Sequence, residues 1–113
     1  MSKIYVAKCY LAALRSADAE AATALFLEDG AIDDFVGGHR VGRRGIEELF
    51  RQVKATPVFV SEPEHWIEEG NRLAVYGYLG LADGETRDRV RWIFHFEGAR
   101  ISHLGNTRVD HFP

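Results

Sequence analysis

The chain has 113 residues, of which 46% are hydrophobic and 27% charged, which suits one soluble domain with a core and gives no sign of disorder. A net charge of −3, with Lys and Arg spread along the chain, leaves no basic stripe for nucleic acid. The single cysteine, Cys9, rules out an internal disulfide and reads as a small buried hydrophobe, in keeping with a reducing cytoplasm.

The opening segment has neither signal-peptide anatomy nor a run long enough to span a bilayer, so a cytosolic protein is expected. No linker or repeat divides the chain, so residues 1–113 read as a single domain. Ser2 is a candidate cap for a first helix to about Ser16, with Ile4, Ala7, Leu11 and Leu14 forming its inward stripe and Tyr10 at the stripe's edge. A second helix is predicted from Asp18, burying Ala22, Leu25 and Phe26 and ending at Gly30. Ala31 to Val36 reads as a short strand in which Ile32, Asp34 and Val36 share a face, placing an acid between two aliphatics. After Gly42 a third helix carries Ile46, Leu49, Phe50 and Val53, and Pro57 stops it.

From Val58 onward the period becomes two. Val58 to Ser61, Glu64 to Glu69, Leu73 to Leu81, Arg87 to Phe96 and Arg100 to Val109 read as strands. Glu69-Gly-Asn-Arg predicts one turn, and Asp83-Gly84 predicts a type I′ hairpin. Val90, Trp92, Phe94 and Phe96 share one face of their strand, and Ser102, Leu104, Asn106 and Arg108 share one face of the last. Helices followed by hairpin-connected strands predict an α+β domain, with helices packed on one side of a strongly curved, mixed or antiparallel sheet.

The segment Cys9-Tyr-Leu-Ala-Ala-Leu-Arg-Ser-Ala-Asp18, continued by Glu28-Asp-Gly-Ala-Ile-Asp-Asp34, resembles the pattern of a helix-1 tyrosine and a strand-1 aspartate in ketosteroid isomerases. With the order of elements, it makes nearly the whole chain similar to the nuclear transport factor 2-like superfamily, which also holds SnoaL-type polyketide cyclases. The resemblance implies a cone-shaped fold around a pocket and cofactor-free proton transfer next to a carbonyl of a small ring compound. Asp34 would be the general base and Tyr10 the oxyanion donor; pKa tuning in this enzyme is a standard worked case. The second oxyanion acid of that pattern falls near Trp92, which either donates a weaker hydrogen bond or fills the cavity. Asp88, on the same face, is a substitute acid.

By strand parity Tyr76, Tyr78 and Phe94 read either as walls of an aromatic cavity or as plain core, and Asn106 and Arg108 fall on the pocket face. Arg108 would make Asp34 a poorer base if it approached it, and otherwise suits a carboxylate or phenolate on the ligand. The five histidines form no metal-ligand spacing; His95 and His103 fall on adjacent strands on the face away from the pocket, where the resemblance implies a homodimer contact. Two alternatives stay open on this fold: a non-catalytic small-molecule-binding or dimerisation module, and an epoxide-hydrolase-like enzyme using Asp34, Asp88 and Arg108.

Overall fold

The structure, a computed structural model describing residues 2–113, runs α1 (Lys3–Ser16), α2 (Ala19–Thr23), β1 (Phe26–Asp33), β2 (His39–Val41), α3 (Gly42–Ala55), β3 (Val58–Val60), β4 (His65–Glu69), β5 (Arg72–Leu81), β6 (Asp88–Glu97) and β7 (Arg100–Arg108). Seven strands form one mixed sheet in the order β2-β1-β7-β6-β5-β3, with β4 on the same edge of β5 as β3. Only β1 and β7 run parallel. The fold is the cone-shaped α+β architecture expected, with helices on the concave side of the curved sheet.

The helix starts follow from local chemistry. Ser2 Oγ accepts from Tyr5 N at 3.2 Å and Asp18 Oδ1 from Ala21 N at 3.0 Å, each satisfying a first-turn amide that the helix leaves unpaired. In α1 the apolar spacing buries Ala7, Tyr10, Leu11 and Leu14 against the sheet. In α3, Ile46, Phe50 and Val53 do the same.

Four expectations are corrected. The second helix is only five residues long, and Leu25 and Phe26 leave it; Phe26 opens β1, opposite Ile101 of β7. Gly30 therefore does not end a helix. It sits in β1 beside a register shift, where an added Cβ would lie 3.0 Å from Phe26 Cδ2 and from Leu27 O. Third, β1 stops at Asp33, so Val36 lies in a turn, 84% exposed, and does not share the face of Ile32. The β5–β6 connection also differs from a two-residue I′ turn. Neither Asp83 nor Gly84 has positive φ, and residues 82–87 form a longer loop tied by Gly84 N to Leu81 O and by Arg87 Nη1 to Gly84 O.

The core lies between α1, α3 and the inner sheet face. Trp92, Phe94, Phe50, Leu11, Ile32 and Leu104 are among its fully buried members. A register shift at His95/Phe96 lets both Ile101 and Leu104 face inward from β7.

Candidate functional site

A cavity of about 400 Å³ opens between α1, α3 and the sheet. Tyr10 and Leu14 border it from α1, Leu49, Gln52 and Val53 from α3, and Ile32, Leu79 and Asn106 from the sheet. Asp34, Phe35 and Val36 form one side of its mouth; Leu81, Thr86 and Asp88 form another. The walls are chiefly apolar, with few polar groups, as suits a small-molecule site.

Asp34 is positioned by its own turn. Its N–H donates to Gly38 O at 2.8 Å, and its carboxylate Oδ1 accepts from Val36 N at 3.1 Å and Gly38 N at 2.8 Å. Gly37, with φ 88°, supplies the left-handed step that closes this loop onto β2. There Arg40 pairs in register with Ile32 and so points to the same inner side. Its Nε donates to Asp34 Oδ2 at 3.0 Å, while its Nη2 donates to Gln52 Oε1 at 2.8 Å. The Asp34 side chain is 8% exposed. Oδ1 is thus filled, and Oδ2 keeps one acceptor position free of protein partners.

Tyr10 is 2% exposed and clamped edge-to-face by three rings, Phe26, Phe50 and Phe94, at centroid distances of 5.9–6.0 Å. Burial, and after it the negative charge of Asp34, push the Tyr10 hydroxyl well above the usual tyrosine range. Tyr10 is therefore a fixed hydrogen-bond donor at neutral pH.

The remaining expected site residues divide. Asn106 and Asp88 border the cavity. Trp92 and Phe94 are fully buried beside it without lining it, and Phe94 serves as a buttress for Tyr10. Tyr76 and Tyr78 are corrected outright: both lie on the outer sheet face against Phe112, at 6.2 and 5.3 Å between ring centroids. The reason is pleat parity, since Leu73, Val75 and Leu79 of the same strand point inward.

Arg108 stays at the rim, 66% exposed, 3.4 Å from Asp88 and over the ring of Phe35. The trio Asp34, Asp88 and Arg108 is thus split into two pairs, Asp34–Arg40 and Asp88–Arg108. Arg40 and Gln52 are site residues that sequence reading did not single out. The signal for Arg40 was there: a basic residue two positions after a Gly-Gly turn faces back across a hairpin.

On the outer face, Asp33 bridges His39 Nδ1 at 2.5 Å and His103 Nε2 at 2.7 Å, and the rings of His95 and His103 are 5.5 Å apart. Among the described residues, no three such side chains converge as ligands for a metal ion. Nor, among them, is any helix long and apolar enough to cross a membrane.

Comparison with known proteins places this geometry in context. Residues 7–104 match the family model described as a SnoaL-like domain. No curated protein sequence matches the chain. Among solved structures, a protein from Sphaerobacter thermophilus is 24% identical, with a TM-score of 0.83 over 98% of this chain and 99% of that one. A Sinorhizobium meliloti protein assigned as a polyketide cyclase is 19% identical, with a TM-score of 0.78 over 90% of this chain and 93% of its own. A Catenulispora acidiphila protein with a ketosteroid isomerase-like fold, solved with trimethylamine, is 18% identical, with a TM-score of 0.81 over 93% and 85%. At these identities the likeness is one of fold.

Proposed function

The chain belongs to the SnoaL-like domain family, and from that premise we propose that it is a cofactor-free enzyme moving a proton next to a carbonyl of a small ring compound. One observation carries the reading: Tyr10 and Asp34 border the same apolar cavity, whose volume of about 400 Å³ suits a ring system. In this mechanism Asp34 Oδ2 takes the proton from the carbon next to the carbonyl. The electron pair of that C–H bond delocalises onto the carbonyl oxygen, which accepts a hydrogen bond from Tyr10. The proton then returns to another carbon in an isomerisation; in a cyclisation the carbanion attacks a second carbonyl carbon of the same molecule, whose oxygen takes the electron pair of its C=O π bond and then the proton held by Asp34. Tyr10 supports this role because its raised pKa keeps the hydroxyl protonated while the enolate forms, and a donor already fixed in place needs no reorganisation.

The test is turnover of a β,γ-unsaturated cyclic ketone. Asp34→Asn should lower kcat by about 100- to 10,000-fold, the usual range for losing a general base, with folding intact. Tyr10→Phe should lower it by about 100-fold. A wild type inactive on a broad panel of cyclic ketones sinks the enzymatic reading.

A second reading is favoured by the three hydrogen bonds that Asp34 already accepts, one from a guanidinium. On this reading Asp34 is a fixed anion in a binding pocket, and ligand affinity, with no turnover, is what Asp34→Asn changes. For self-association, the outer sheet face with Ile67, Ala74, Tyr76 and Ile93 is our choice of pairing surface for a homodimer. Light scattering on Ile93→Arg would show a monomer if that is so.

A further inference from the structure

Two buried polar atoms on the inner side of the sheet have no hydrogen-bond partner: Trp92 Nε1 and Asn106 Oδ1. Buried groups of this kind are nearly always paired, so two of them on neighbouring strands, not hydrogen-bonded to each other in this structure, call for a physical account. They belong to residues directly opposite each other in the β6–β7 ladder, and side chains opposite each other project from the same face. Their chemistry is complementary. An indole N–H can only donate, and a carboxamide oxygen can only accept. Asn106 borders the cavity, whereas Trp92 is fully buried beside it. The other unpartnered buried atom, Arg91 Nε, belongs to a residue paired with Tyr76 and points to the outer face.

We infer that Trp92 is a positioning residue for Asn106: a side-chain adjustment brings the Asn106 carbonyl oxygen onto the indole N–H, which satisfies both atoms and presents the Asn106 NH2 group to the cavity as a hydrogen-bond donor. The ligand class that follows is a ring compound carrying an acceptor oxygen, of carbonyl type, directed at the β6–β7 wall. The carboxamide orientation is the decisive point. Turned the other way, its NH2 would face an indole that has nothing to accept with, and the cavity would offer only an acceptor. Burial of the Trp92 N–H therefore selects one of two amide orientations, and with it the kind of atom the pocket recognises. This inference rests on the cavity being the ligand site, as proposed above, but not on turnover.

The experiment compares 1-tetralone with tetralin, which lacks the oxygen, by titration of the wild type, Asn106→Leu and Asn106→Asp. Both variants should weaken 1-tetralone about tenfold, the scale of one lost hydrogen bond, while tetralin binding is not weakened. Equal effects on both compounds, or none on the ketone, overturn the role of Asn106. Failure of the wild type to bind either compound overturns the cavity itself as a ligand site, a distinct result. NMR tests the Trp92 half without altering the core. The Trp92 Nε1–H signal, assigned against that of Trp66, should move on adding 1-tetralone to the wild type and should differ in Asn106→Leu. A Trp92 signal indifferent to both changes overturns the positioning role.

Discussion

Asp33 and Asp34 are neighbours in the chain and end on opposite sides of the sheet. Asp34 faces inward, 8% exposed, and its partners are two amides of its own turn and one guanidinium. Asp33 faces outward, 51% exposed, and its partners are two imidazoles, from His39 and His103. Their hairpin partners obey the same alternation: His39 pairs with Asp33 in register, and Arg40 pairs with Ile32. One step of the pleat thus gives two identical side chains different fates. The inner carboxylate is held by backbone groups that cannot move without opening the turn. The outer one is held by side chains that compete with water.

The largest expected effect breaks that comparison at its centre. Asp34→Asn should cost the roughly 100- to 10,000-fold in kcat proposed for a general base, while Asp33→Asn leaves kcat within about twofold. Equal losses in the two variants would mean that the inner position carries no special chemistry. A smaller effect is expected at Gly38, where an added Cβ would lie 2.4 Å from Asp34 Oδ2. Gly38→Ala must push the carboxylate aside. Since a misplacement of about 1 Å can cost on the order of 100-fold in rate, kcat should fall on that scale. The melting temperature should change little, because the turn lies outside the core. Restored activity in Gly38→Ala with Arg40→Ala, where the carboxylate has room to settle again, would show that crowding at Oδ2 is the cause.

The comparison also marks what the sequence could convey. The stripes of α1 and α3 were legible because the same residues that repeat at three and four bury against the sheet. The long strands were legible from their alternation. Phe26 was not. Leu25 and Phe26 continue a helical spacing, and what turns Phe26 into a strand is its parallel pairing with Ile101, 75 positions away, which no local window contains. The strand β2 is three residues with no apolar alternation, so its existence depends on β1. At the site, Tyr10 and Asp34 were found through a pattern, but Arg40 and Gln52 join them through tertiary contacts. Tyr76 and Tyr78 were misplaced because alternation says which residues share a face but not which face turns inward; Leu73, Val75 and Leu79 take the inner one and leave both tyrosines outside.

The smallest expected effect belongs to the outer face and is read in pH. The His95 pKa is lowered, first by partial burial, then by the charges of His103 and Arg72. The folded state therefore disfavours the charged form. The stability His95 contributes is fully present above its usual 6.5 and is lost as pH falls below it. The Asp33 pKa is lowered by hydrogen bonds from His39 and then His103, so its contribution persists down to the usual 3.8 and is lost as pH falls further, through the folded-state value. Both groups are well exposed, so each contribution is small. Urea midpoints measured from pH 8 to 3 should fall in two windows, below 6.5 and below 3.8. His95→Gln should flatten the upper window alone, and Asp33→Asn the lower, with turnover at pH 7 unchanged in both. If His95→Gln leaves the upper window intact, His95 is not the source of that acid sensitivity, and the role given to it on the outer face is wrong.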